Sequence, residues 1–350
     1  MESLYLFKFK GVRVELHWLS VLFLLIASLG GAVYFLIWLI VLLSVLLHEI
    51  AHSYLAVRYR LSVKKILIVL PFGGGTIIDS SYKRPYIEFN VTFIGPLTNL
   101  LLGSIFGLLA TISASPIVTY LLQTGFIINI LLAVLNLIPW FPLDGGRLLR
   151  SYLEKKDGYL KATRKAVFVS NIFSFIMFLG VFVYTFFFNS YSLLYKEILF
   201  IIDLVVIYFI YTSAKIELYY AELKEISKKL KVRDVIQHSY ILIDKNASLN
   251  RLLSEILKRH TRVVIYKENE SYYLVTDLTR LNNRHKHISD LPRVEILTMQ
   301  YNKWLSEYID RIRSSDVNII GIVNKKGKLV GITDINHIEA VLRLHKHAAR

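Results

Sequence analysis

The sequence predicts an all-α polytopic membrane domain with six transmembrane helices and a small membrane-embedded β-hairpin, followed by a C-terminal α+β cytosolic domain made of two repeats. Three observations carry this. Hydrophobic residues make up 54% of the 350-residue chain and charged residues 19%, with the apolar content concentrated before about residue 215. Basic residues alternate between successive connections, as they do in short cytoplasmic loops. Beyond residue 230 the pattern changes to short strand-like runs and amphipathic segments, in an order that occurs twice.

The chain opens with Met1-Glu2-Ser3 and carries mixed polar residues to Arg13, without the layout of a cleaved signal peptide. Six apolar segments follow, from Leu16 to Ser28, Val33 to Val57, Phe89 to Ile112, Pro116 to Ile138, Ala166 to Phe188 and Leu193 to Tyr211. Most approach the ~20 residues that a membrane helix needs. The first is short, and Gly30-Gly31 turns it into the second. Lysines and arginines crowd before the first segment, between the second and third, between the fourth and fifth, and after the sixth; the alternate connections hold only Lys196. The expected location is the cell membrane, multi-pass, with both termini in the cytoplasm.

Between the second and third segments, two short β-branched runs flank Pro71 and the glycines Gly73, Gly74 and Gly75, which reads as a hairpin. Backbone of this kind at membrane depth must be buried in protein or line a cavity. An open strand edge there could pair with an extended substrate. The expected domains are 1–215 for the membrane region, 216–230 for a charged helical stalk and 231–350 for the repeats, which run over about 231–285 and 286–345. Each repeat is expected as strand, helix, strand, strand, helix, the opening strands being Tyr240 to Ile243 and Val294 to Leu297.

The chemistry begins with His48-Glu49-Ile50-Ala51-His52, which follows an almost wholly apolar run from Val33 to Leu47. Histidines at i and i+4 share one helix face and can reach one zinc ion, with the glutamate beside the water. Ionisable groups at membrane depth are costly and mark function. A catalytic zinc takes three protein ligands, and with no cysteine in the chain the third is His, Asp or Glu. The strong candidate is Asp144, in Asn136-Leu137-Ile138-Pro139-Trp140-Phe141-Pro142-Leu143-Asp144-Gly145-Gly146-Arg147. Charge counting puts it at the same cytoplasmic level as His48 and His52. Asp79 and Glu88 come next. The prolines break the helix, and the glycines are expected to give Asp144 a free turn and close backbone approach. In this reading one zinc per chain is held by His48, His52 and Asp144. Glu49 is the general base, and Asn136 hydrogen-bonds substrate or oxyanion. The net charge of +16 is assigned to cytoplasmic loops facing the lipid bilayer, with no direct nucleic-acid partner.

These residues, with Phe72-Gly73-Gly74-Gly75 and Gly95-Pro96-Leu97-Thr98-Asn99, resemble the site-2 protease family of intramembrane zinc metalloproteases over about residues 10 to 215. The resemblance implies zinc on His48, His52 and Asp144, with Glu49 as general acid/base. It also implies cleavage of membrane-tethered proteins, often precursors of transcription regulators. The C-terminal repeats look like a CBS pair, a weaker match. That resemblance implies ATP or AMP as a regulatory ligand near Thr276, Asp277, Thr333 and Asp334, and homodimer formation. The chain departs from the CBS pattern, since Thr279 and Asn336 stand where a ribose-binding Asp is usual. Two rivals are a non-proteolytic membrane chaperone of the same fold and a metal transporter gated by the CBS pair. The intact His-Glu-His-Asp set disfavours the first, and the second would need neither Glu49 between the histidines nor a substrate-pairing hairpin.

Overall fold

The structure, a computed structural model, describes residues 3–70, 73–78, 84–188, 193–277, 288–313, 315 and 317–348. By its internal contacts the chain divides into two units, Met1–Ala221 and Glu222–Arg350.

The first unit opens with strands where no regular structure is expected from the sequence. Strand β1 (Ser3–Phe9) turns through Lys10 and Gly11, both at positive φ, into antiparallel β2 (Val12–His17). Such a two-residue turn follows the right-handed twist of the strands it joins. Leu16 therefore lies in β2, and the first helix, α1, covers only Trp18–Ser28. His17 caps it, its Nδ1 accepting from the Leu19 amide at 3.3 Å. Gly31, at φ 97°, turns the chain into α2 (Ala32–Arg58). Then come β3 (Val63–Val69) and β4 (Gly73–Ile78).

The expected hairpin is thus half of a larger sheet in the order β1-β2-β3-β4, with β2 and β3 parallel. The unit is not all-α. The reason is visible in β2: Val12, Val14 and Leu16 alternate with Arg13 and Glu15, a period of two. They pack with Ile66, Ile68 and Leu70 against Val45 of α2. On the other face Lys65 and Ser3 donate to the Glu15 carboxylate at 2.8 and 2.6 Å. These bonds, Lys65 first, hold its pKa below the ordinary carboxylate value.

The helices that follow are α3 (Pro85–Ile112), α4 (Pro116–Leu137), α5 (Asp144–Asp157), α6 (Tyr159–Val183) and α7 (Leu193–Ser227), with a short π-helical turn after α6. Prolines open α3 and α4 at the first helical position, where the missing N–H costs nothing. Among the described residues four helices are long and apolar enough to cross a membrane: Ala32–Arg58, Pro85–Ile112, Pro116–Leu137 and Tyr159–Phe187. They carry many exposed Leu, Ile and Phe side chains, as lipid-facing surfaces do. At 11 residues, α1 is short for a span. The sixth expected segment lies in α7, where several side chains fall outside the described set.

The second unit holds two sheets, β5-β6-β7-β8 and β11-β10-β9. The elements are β5 (Ile241–Ile243), α8 (Leu249–Arg259), β6 (Val264–Glu268), β7 (Ser271–Val275), β8 (Arg293–Glu295), β9 (Thr298–Gln300), α9 (Ile309–Arg313), β10 (Ile319–Val323), β11 (Leu329–Asp334) and α10 (Ile335–Ala348). The single strand expected over Val294 to Leu297 ends at Glu295, and a separate strand begins at Thr298. Strand β8 joins β7 of the first repeat, and β9 pairs in parallel with β10 of the second. Tertiary pairing with two different sheets overrides the single strand-like run. The closing helix expected in the first repeat falls outside the described residues. Gln237 and Ile332 exchange backbone hydrogen bonds of 2.7 and 2.9 Å, so the repeats pair with each other.

One charged cluster is buried in the first unit. Arg150 of α5 donates to Glu88 of α3 and, at 2.9 Å, to Glu217 of α7. It ties the helix that begins at Asp144 to two others. Removing the cation from such a cluster leaves buried carboxylates uncompensated, at about 3–5 kcal/mol. Arg150→Met is expected to lower the thermal unfolding midpoint of the detergent-solubilised protein sharply. A midpoint within a degree of wild type would show that the cluster contributes nothing to stability.

Candidate metal centre

Helix α2 puts His48 and His52 one turn apart on one face, and both are buried. Asp144 is the first residue of α5, delivered by the break after α4. The three converge. His48 Nε2 lies 3.0 Å from His52 Nε2, and Asp144 Oδ2 lies 3.1 Å from the first and 3.2 Å from the second.

The far side of each imidazole explains what faces inward. His52 Nδ1 lies 2.6 Å from the Val91 carbonyl. A carbonyl only accepts, so His52 Nδ1 carries the proton. His48 Nδ1 meets the side-chain oxygen of Asn99. Both Nε2 atoms therefore aim lone pairs at each other and at a carboxylate oxygen. Three acceptors at this spacing repel one another unless a cation lies between them. Two ligands ~2.0–2.1 Å from a tetrahedral ion are ~3.3 Å apart, close to the spacing here. The donor set, two imidazoles and one carboxylate, suits zinc. Among the described residues it is the one group of three or more such side chains able to hold a metal.

Close packing makes the convergence possible. A β-carbon at Gly95 of α3 would sit 2.4 Å from His52 Nε2 and 2.7 Å from His48 Cε1. A β-carbon at Gly145 would sit 1.9 Å from the Ile138 carbonyl oxygen. Gly145 and Gly146 are helical residues of α5, not a free turn. Of the two expected roles they serve only close approach, because α5 starts at Asp144 itself.

Glu49 is buried beside the triad. Thr76 of β4 donates to its Oε2 at 2.8 Å. The three glycines of β4 differ in use. Gly74 lets the strand press on Glu49, since a β-carbon there would lie 2.7 Å from Glu49 Cγ. Gly73 takes φ +113°, and Gly75 has open space around it. Strand β4 is the last in its sheet and pairs only with β3 among the described residues. His48, Glu49, His52, Gly73, Gly74, Gly75, Asn136 and Asp144 all line one cavity of about 500 Å³. Asn136 donates back to Leu132 O at 3.0 Å, within its own helix.

Asp79 lies outside the described residues, and Glu88 is committed to Arg150. Asn99, the Val91 carbonyl and Thr76 were given no role by sequence reasoning. A polar Asn99 deep in an apolar helix was the available signal; a backbone carbonyl leaves none.

In the second unit two of the four expected nucleotide contacts, Thr276 and Asp334, make local hydrogen bonds. Thr276, just after β7, donates to Pro292 O at 3.2 Å, with Asp277 beside it. Thr333 lies within β11 rather than after it, fully buried and without a hydrogen-bond partner for its hydroxyl. Asp334 accepts from the His337 amide at 2.8 Å, capping α10. Two surface cavities in this unit, of about 420 and 440 Å³, are lined by other residues.

Comparison with known proteins bears on the first unit and on the whole chain. The model of peptidase family M50 matches residues 34–117 and 106–180. Zinc metalloprotease MJ0392 of Methanocaldococcus jannaschii is 29% identical over 98% of this chain and 97% of its own length. Stage IV sporulation protein FB of Bacillus subtilis is 38% identical over 36% of this chain and 43% of its own. A solved site-2 protease from Methanocaldococcus jannaschii aligns at 30% identity, TM-score 0.45, over 62% of this chain and 95% of that one.

Gly95→Ala tests the packing. Its methyl group would occupy the space of the two imidazoles, so metal affinity is expected to fall by at least about tenfold, the scale of a disturbed ligand shell, and metal content to fall with it. Elemental analysis of purified, folded protein reads this directly. Full occupancy would mean that α3 can retreat without disturbing the histidines.

Proposed function

The chain belongs to peptidase family M50, the zinc metalloendopeptidases of the site-2 protease type, and we propose that it cuts membrane-tethered proteins at the His48–His52–Asp144 centre. The observation that supports this most is the meeting of three inward-facing acceptor atoms beside a buried glutamate, on helices apolar enough to cross a membrane.

In this reading His48, His52 and Asp144 hold zinc. When bound, zinc lowers the pKa of water to about 7 and polarises a carbonyl. Glu49 takes the proton of the attacking water and passes it to the leaving amine. The Thr76 hydroxyl holds the Glu49 carboxylate in one rotamer. The outer edge of β4 pairs with an extended substrate, so recognition runs through backbone rather than side chains. Asn136, on the cavity wall, can exchange its bond to Leu132 O for one to substrate backbone or oxyanion. The distribution of basic residues supports a cytoplasmic position for both termini and the zinc cavity, and six crossings would include α7 and the short α1.

We propose the second unit as a CBS-like regulatory module that binds an adenosine nucleotide and mediates dimer formation. The paired repeats and the unpartnered Thr333 hydroxyl support this.

Glu49→Gln keeps size and loses the base. Cleavage of a membrane-tethered reporter is expected to fall by roughly 10²–10⁴-fold, with zinc content unchanged. Asp144→Ala is expected to lose zinc and activity together. Strong residual cleavage by the Glu49 variant, or full zinc in the Asp144 variant, would reassign that residue.

The regulatory reading is tested by titrating ATP and AMP into the detergent-solubilised full chain by calorimetry. Weak binding is expected, because Thr279 and Asn336 replace the usual ribose carboxylates. No heat at millimolar nucleotide would leave a docking or dimerisation module.

A further inference from the structure

Three polar side chains are buried between α2, α3 and α4: Ser44, Asn99 and Asn129, exposed by 2%, 0% and 0%. None is ionisable, and none was assigned a role above beyond the contact of Asn99 with His48. Unpaired polar groups in such surroundings are costly, so the direction of each hydrogen bond matters.

The direction is set at one end. Asn129 Nδ2 lies 2.9 Å from the Gly125 carbonyl and 2.9 Å from Ser44 Oγ. A carbonyl cannot donate, so the amino end of Asn129 must face it. Its oxygen then faces Asn99, which donates through Nδ2 at 2.9 Å. That leaves the Asn99 oxygen toward His48 Nδ1, which must carry the proton. His48 Nε2 is then a lone pair aimed at His52 and Asp144. If the Asn99 amide were reversed, its oxygen would oppose the Asn129 oxygen, and its amino group would force the proton onto His48 Nε2. That tautomer cannot ligate a metal at Nε2.

We propose that Asn129, on a helix that supplies no ligand, is a positioning residue for the metal centre: through Asn99 it selects the His48 tautomer that binds zinc. The chain begins at a helix carbonyl, whose polarity no side-chain rotation can reverse. Ser44, one turn before His48 on α2, accepts the second Asn129 proton and holds the amide plane. The proposal rests on the reading of His48 as a zinc ligand.

The experiment measures the zinc Kd of the detergent-solubilised full chain by competition with a chelator, alongside thermal unfolding. Wild type comes first; absence of zinc binding there would remove the zinc reading itself, and this proposal with it. Asn129→Leu frees the Asn99 amide to turn, and the Kd is expected to rise about tenfold, at the lower end of outer-shell losses. Asn99→Asp offers only acceptor oxygens and has no wrong orientation. In the Asn99→Asp/Asn129→Leu double variant the Kd is therefore expected to return to within about threefold of wild type, a non-additive rescue. A role limited to packing predicts no rescue. Unchanged affinity in Asn129→Leu, or a double variant as weak as the single one, would overturn the proposal. If Asn129→Leu does not fold, Asn129→Asp replaces it, since the buried neutral acid donates to the Gly125 carbonyl and keeps the acceptor toward Asn99. Its expected Kd is within about threefold of wild type, and a tenfold loss in the folded protein would overturn the proposal equally.

Discussion

Two imidazole lone pairs and a carboxylate oxygen are held about 3 Å from one another inside a bundle of apolar helices. Left to themselves these groups repel. The rest of the first unit can be understood as the apparatus that forces them together. A divalent cation between them would turn the repulsion into binding.

The force comes from backbone proximity. Gly95 lets α3 lie directly against both histidines, and Gly145 lets α5 fold back on the end of α4 so that Asp144 reaches the same point. Arg150, one and a half turns further along α5, anchors that helix to α3 and α7 through two buried carboxylates. Polarity is handled with equal strictness. The Val91 carbonyl and the Asn99 oxygen each take an Nδ1 proton, so neither histidine can turn its proton inward without losing a buried partner.

The sheet contributes the other half of the site. Strand β4 runs past Glu49 closely enough that one glycine is required, and Thr76 joins the strand to the carboxylate. A strand added to this edge would therefore lie next to Glu49 without any rearrangement of α2. Strands β2 and β3 back β4 and pack their alternating apolar residues on α2, so the edge and Glu49 are positioned by the same helix.

The sequence by itself determined the chemistry. A His-Glu-x-x-His run after an almost wholly apolar stretch, and an Asp past a proline-broken helix, point to their partners because helical spacing and the membrane's intolerance of charge leave few alternatives. The doubling of the C-terminal pattern was legible for a similar reason, since repeated order is a one-dimensional signal. Only the tertiary structure decided three things. It showed that residues 3–17 form strands, whose period of two is short and competes with nearby apolar helix signals. It ended the strand expected over Val294 to Leu297 at Glu295 and started another, in a different sheet, at Thr298. It also supplied the outer shell of the centre: Val91 O, Asn99, Asn129 and Thr76 come from α3, α4 and β4, far apart in the chain. Hydrogen-bond polarity between such elements depends on which backbone carbonyl faces which side chain, and no spacing in the sequence records that.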